Sequence, residues 1–160
     1  MAVLRPSQPS RSVLARAIAL AVLCAAGALA PLAHAQLLAD VVVSTAISAQ
    51  FDPSLHLPRG TLRAVGKGTE AVIARVPDRG HWTGWEVYEA TGLLKNLQAG
   101  YVHNIETAFA VDGYFESGRT QKTVGPETRT HIVFQGNDGE RLLYVIRTSQ
   151  EVVWLTARSK

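Results

Sequence analysis

The last third of the chain alternates with a period of two, and that pattern constrains the fold more than any other. From Thr128 to Gln135, Thr130, Ile132 and Phe134 interleave with Arg129, His131 and Val133. Arg141 to Thr148 sets Leu142, Tyr144 and Ile146 on one face, and Val152 to Arg158 alternates Val153, Leu155 and Ala157 with Val152, Trp154 and Thr156. Side chains of a strand point to opposite faces in turn, so each segment reads as a strand. Gly125-Pro126, Gly136-Asn137-Asp138-Gly139 and Ser149-Gln150 separate them. The second of these is a strong hairpin signal, because Asn and Asp tolerate positive φ and Gly favours it. With Tyr114 to Thr123 as a further strand, the four segments make an antiparallel meander.

A meander with one apolar face needs a cover, and the residues before it supply one. Leu93, Leu97, Tyr101, Ile105 and Phe109 recur every four positions, and Leu94, Val102 and Ala108 widen the stripe. This predicts an amphipathic helix from Leu93 to Val111, with Thr91 as N-cap and Asp112-Gly113 as its stop. At about 1.5 Å per residue it is roughly 28 Å long, close to the roughly 25 Å of the strands. The expected fold class is therefore α+β: one long amphipathic helix packed on a four-stranded antiparallel meander. An N-terminal helix or strand and a short hairpin precede it. Leu37, Leu38, Val41, Val42 and Thr45 fit a helical stripe, although Val41-Val42-Val43 also suits a strand; the reading leans to a helix from Leu37 to Ala49. Residues 61–76 read as a hairpin turning at Gly66-Lys67-Gly68, and residues 81–92 as irregular or short strand.

The first 35 residues stand apart. Arg5, Arg11 and Arg16 precede the uncharged run Ala17 to Ala30, Pro31 ends it, and Ala33-His34-Ala35 forms an A-x-A site before Gln36. This is the pattern of a secretory signal peptide cleaved between Ala35 and Gln36. Its 14-residue apolar run falls short of the about 20 residues that span a bilayer, so no stable membrane span is expected after cleavage. Cys24 lies inside the run rather than at the cleavage site, which argues against a lipoprotein. Residues 36–160 are then a single exported α+β domain, periplasmic or secreted.

Removing the leader changes the chemistry. It carries three of the 16 Lys and Arg and no acid, leaving 13 basic residues against 13 acidic ones. A nucleic-acid binder shows a basic excess on one face, so nucleic acid is not an expected partner. The leader also takes the only Cys and the only Met. Disulfides, thiol catalysis and Cys-ligated metals are thereby excluded from the mature chain.

Few catalytic patterns remain. His103 and Glu106 share a helix face, but a zinc site needs three or four ligands, and His81 and His131 come from separate segments. Glu86 and Glu89 flank Tyr88 and face opposite sides of an extended segment, which does not suit glycoside hydrolysis. No serine lies in a nucleophile motif, and Gly66-Lys67-Gly68-Thr69 lacks P-loop spacing. No cofactor is expected. Trp82, Trp85, Tyr88, Tyr114 and Phe115 cluster at the approaches to the helix, as core or as a binding patch. By alternation Arg129, Arg141 and Arg147 fall opposite Ile132, Leu142 and Ile146. They share that outer face with Val133, Leu143, Val145 and Trp154, more apolar than a free surface, so the face is either covered by the N-terminal hairpin or an interface.

The expected function is an exported, non-enzymatic binding protein (an inhibitor, an immunity-type protein or an envelope assembly factor) that uses a sheet face to hold another envelope protein. Its expected binding residues are Arg129, Arg141, Arg147, Trp154, Trp82 and Trp85. The alternative is a small hydrolase or isomerase with a pocket between helix and sheet, using His103 or His131 with Glu106. That alternative requires the two histidines on one side of the sheet.

Overall fold

A computed structural model describes residues 37–38, 41–50 and 52–160, the Val42 side chain excepted. The expected signal peptide and its expected cleavage site between Ala35 and Gln36 lie outside the described residues. Seven strands form one sheet: β1 (Val42–Thr45), β2 (Leu62–Val65), β3 (Trp82–Thr91), β4 (Phe115–Val124), β5 (Glu127–Gly136), β6 (Gly139–Arg147) and β7 (Glu151–Ser159). Their order is β1-β2-β3-β7-β6-β5-β4, and every neighbouring pair is antiparallel. Among the described residues two α-helices accompany them, α1 (Gly68–Ile73) and α2 (Lys95–Val111), with a 3-10 turn at Arg79–His81. No described helix is long and apolar enough to cross a membrane.

This corrects the expected fold of one long helix on a four-stranded meander. The sheet does not end at β7. The segment expected to be irregular or short strand, residues 81–92, holds the ten-residue strand β3, which sets Tyr88 opposite Trp154 and Val87 opposite Leu155. β2 and β1 extend the sheet beyond it. The expected helix over Leu37–Ala49 is replaced by the strand Val42–Thr45, where a β-branched run fits a pleated surface better than a helix. The expected hairpin over 61–76 is a strand followed by a helix. There Val72 and Val76, four apart, are buried, while Ala71 and Ala74 between and beside them are exposed. That is helical spacing, which a short apolar run cannot announce by itself.

The added strands matter because they make β7 and β6 central, and both faces of these strands are covered. On one face Tyr88, Ile132, Leu143, Val145 and Trp154 pack with Tyr101, Val102, Ile105 and Phe109 of α2 and with Ala49 and Leu55. On the other, Val87, Leu142, Tyr144, Ile146, Val153 and Leu155 pack with Leu37, Leu38, Val72 and Val76. Each such side chain, fully buried, contributes about 1.5–3 kcal/mol before entropy. Burial on both faces explains why β6 and β7 each carry six consecutive buried residues rather than an alternating set.

α2 begins two residues later than its spacing suggests, and Leu94 rather than Thr91 is the N-cap; Thr91 ends β3. Its buried stripe is Gln98, Tyr101, Val102, Ile105 and Phe109. Leu97, counted above in the stripe, is 52 % exposed, and Leu94 is 66 % exposed. The helix stops at Asp112, where Gly113 takes a φ of +89°, a conformation that costs glycine little.

Candidate functional site

The six residues expected to bind do not form one surface. Register places residues that pair across strands on the same face. Phe134 pairs with Arg141, Thr130 with Val145, and Val145 with Trp154, so Arg141 and Trp154 belong to the α2 side. Arg147, opposite Thr128 and Val152, lies there too. Arg129, opposite Ile146, lies on the other side with Trp82 and Trp85. Leu142 and Ile146 likewise face away from Ile132. The expectation assigned one phase to β5 and the opposite phase to β6. The hairpin pairs Gly136 with Gly139, and that pairing sets the phase.

Their environments differ as well. Trp154 is completely buried, stacked on Tyr88 at a centroid distance of 4.3 Å, and donates its indole N–H to Tyr101 Oη at 3.2 Å. Trp82 is buried in the opposite core, and Trp85 packs beside it half-buried. Arg129 donates to Glu127 Oε2, which holds the guanidinium firmly charged. Arg141 is only 8 % exposed, and it bonds to Asp138 and lies 5.1 Å from the centre of the Tyr114 ring.

Arg141 is the centre of a polar knot that the sequence did not announce. Tyr114 donates to Asp138 Oδ1 at 2.9 Å, and Asp52 Oδ2 approaches Arg141 Nε at 4.0 Å. Ser54 Oγ lies 2.6 Å from Asp52 and 2.9 Å from Asp112. Burial acts to raise the Asp138 carboxyl, but the Tyr114 hydroxyl and Arg141 together hold it below the usual carboxylate range. Burial first, and the bond to Asp138 next, push the Tyr114 hydroxyl well above its ordinary value. The knot ties the 52–54 loop and the end of α2 to the β5–β6 turn. Its cation, Arg141, is already engaged by the Asp138 and Asp52 carboxylates.

The two histidines on which the enzymatic alternative rested are divided by the sheet. His131 pairs with Tyr144, whose ring it meets edge-on at 6.3 Å, on the face away from α2. Burial pushes its imidazole below the ordinary range, and its Nε2 has no hydrogen-bond partner. His103 is exposed on α2, across the sheet. Glu106 beside it is engaged by Arg119 at 3.1 Å, and Arg119 is also bonded to Glu116. No group of described residues is arranged to hold a metal ion.

What α2 does offer is an apolar groove of about 610 Å³ between its N-terminal half and the 56–59 loop. Leu57, Pro58, Leu93 and Leu97 supply apolar walls, and Arg59 and Asn104 are among its polar lining. The loop is pinned there: Thr61 Oγ1 donates to Pro58 O at 2.7 Å, and Leu57 N donates to Ile47 O. Sequence reasoning placed Leu93 and Leu97 in the core. Leu93 does pack half-buried against the α2-side core, whereas a stripe phased on Gln98, Tyr101 and Ile105 leaves Leu97 on its flank. The chain matches no protein-family model, no curated protein and no solved structure.

Proposed function

We propose that this chain is an exported, non-enzymatic binding protein, and that it recognises another exported protein through the α2 groove rather than through a bare sheet face. The observation that carries the reading is the groove itself. Leu97 in its wall is exposed and Leu94, the N-cap of α2, is exposed beside it, whereas Tyr101, Val102, Ile105 and Phe109 of the same helix are buried. An apolar centre bordered by groups such as Arg59 and Asn104 is the anatomy of a protein interface. The exposed leucines extend past the groove, which favours a macromolecular partner over a small ligand seated inside it. The secretory leader supports the compartment, and the division of His103 from His131 removes the best basis for the hydrolase or isomerase alternative.

The test uses immobilised protein and the exported proteins of its own source. One protein should be retained by the wild type and lost with Leu97→Asp, while the melting temperature stays within about 2 °C, as for surface substitutions generally. Glu70→Lys, exposed on α1 beyond the opposite face, should leave retention unchanged. No retained partner, or retention indifferent to Leu97→Asp, refutes the reading.

A further inference from the structure

The other flank of α2 carries a second cavity of different chemistry. It measures about 300 Å³ and opens between the first turn of α2, the start of β5 and the β6–β7 turn. Lys95 and Gln98 line it from the helix, Thr128 from β5, and Arg147, Thr148 and Ser149 from the end of β6. No Asp or Glu lines it.

Arg147 is half-buried here and meets no carboxylate among the described residues, whereas Arg75, Arg119, Arg129 and Arg141 each do. Gln98 is only 4 % exposed, and its Nε2 is buried without an acceptor. A buried N–H in that condition is destabilising, and an acceptor inside the cavity would relieve it. α2 begins without a side-chain cap and without an acidic residue in its first turn; the Leu97 amide donates to Leu94 O at 2.8 Å, and no side-chain charge offsets the positive end of the helix dipole there. Thr148 Oγ1 already accepts from the Gln150 and Glu151 amides at 3.2 Å, which leaves its hydroxyl proton to donate elsewhere. Every one of these features supplies a donor or a positive charge.

We propose that this cavity binds an oxyanion of the phosphate or sulfate class. The donors arrive from three separate elements, which suits a tetrahedral ion better than a planar carboxylate, and the Arg147 guanidinium provides the forked contact such ions take. The volume exceeds that of a bare ion, so the site accommodates an ester. A free phosphate ester and an anionic lipid headgroup present the same chemistry, and the experiment separates them.

The purified protein is melted in inorganic phosphate and in chloride at equal ionic strength. The melting temperature should rise saturably with phosphate alone, because a ligand bound only by the folded state stabilises it. Arg147→Gln should weaken phosphate binding by about tenfold or more, in line with loss of a charge-assisted contact. Gln98→Leu separates binding from folding: it removes the unsatisfied donor, so the unliganded protein should melt no lower while phosphate binds more weakly. Arg59→Gln, in the apolar groove, should bind phosphate as the wild type does. In the unmodified protein the Gln98 side-chain amide resonances should shift on phosphate addition, a readout that needs no variant to fold. Vesicles of phosphatidylglycerol and of phosphatidylcholine are then compared by flotation. Retention on the anionic vesicles that depends on Arg147 assigns the site to a lipid headgroup; phosphate binding without vesicle retention assigns it to a soluble ester. Absence of both, or binding undiminished by Arg147→Gln together with an unmoved Gln98 amide, overturns the proposal.

Discussion

Tyr101→Phe removes one oxygen atom and breaks a chain of hydrogen bonds that crosses from the sheet to the 56–61 loop. Thr61 Oγ1 lies 2.7 Å from Pro58 O and 2.7 Å from Tyr101 Oη. A hydroxyl has one proton, and the Pro58 carbonyl can only accept, so Thr61 donates to Pro58 and accepts from Tyr101. Tyr101 Oη in turn accepts from Trp154 Nε1 at 3.2 Å. Thr61 and Trp154 are both fully buried, so no water replaces the lost partner. The substitution strands the indole N–H, at about 1–3 kcal/mol for a buried unsatisfied donor. Thr61 keeps its own acceptor and adds less. The ring and its packing are unchanged, so the expected loss is about 2 kcal/mol, or on the order of 8 °C in melting temperature for a domain of this size. Urea unfolding followed by tryptophan fluorescence and near-UV circular dichroism measures it. A double-mutant cycle with Thr61→Val should show coupling of about 1 kcal/mol, because both changes delete the same bond. A loss below about 0.5 kcal/mol, or strict additivity with Thr61→Val, would refute the directed chain.

Three further outcomes follow from the same packing. Burial pushes all four tyrosine hydroxyls, Tyr88, Tyr101, Tyr114 and Tyr144, above their ordinary value near 10, with Glu86 adding to the effect at Tyr88 and Asp138 at Tyr114. The unfolded chain loses these protons first, so stability is intact below about pH 10 and falls as pH rises beyond it; tyrosinate absorbance should appear only together with loss of near-UV circular dichroism. Gly136→Ala places a Cβ 2.3 Å from the Tyr114 ring, a backbone-fixed clash that should cost about 1–3 kcal/mol by urea unfolding and disturb the Tyr114–Asp138 bond. Phe109→Ala empties the space where Phe109 stacks on Phe134 at 4.7 Å and meets Tyr114 edge-on, and should cost about 3–5 kcal/mol by the same assay.

The parts of the fold legible in sequence are those fixed within a few residues. Asn137-Asp138 joins strands that pair Gly136 with Gly139, and turn chemistry announces this locally. Asp112-Gly113 ends α2 for a reason contained in the glycine. β3 was not legible, because its partner β7 lies some 70 residues away and Glu86, a buried carboxylate, interrupts its apolar pattern. Glu86 is accommodated by the Gln50 amide and the Tyr88 hydroxyl, contacts no local pattern foretells. The face assignment of the arginines failed for a related reason. With both faces buried, β6 and β7 lose the contrast between wet and dry sides that alternation depends on. The apolar outer face noted from the sequence is not one face: Leu143, Val145 and Trp154 lie in the core beneath α2, and only Val133 packs against the second core.

The sequence by itself determined the charge balance, the absence of cysteine after Cys24, the C-terminal turns and the presence of a long helix, because each depends on composition or on neighbours a turn apart. Only the tertiary structure decided how many strands share the sheet, which face each arginine takes and which leucines of α2 remain outside. Those outcomes depend on pairing between distant segments, and a one-residue change in phase moves every side chain of a strand to the other face. Arg147 shows the difference most directly: in sequence it is one of several basic residues on strands, and in the fold it lines one cavity with the unsatisfied Gln98 amide and meets no carboxylate among the described residues.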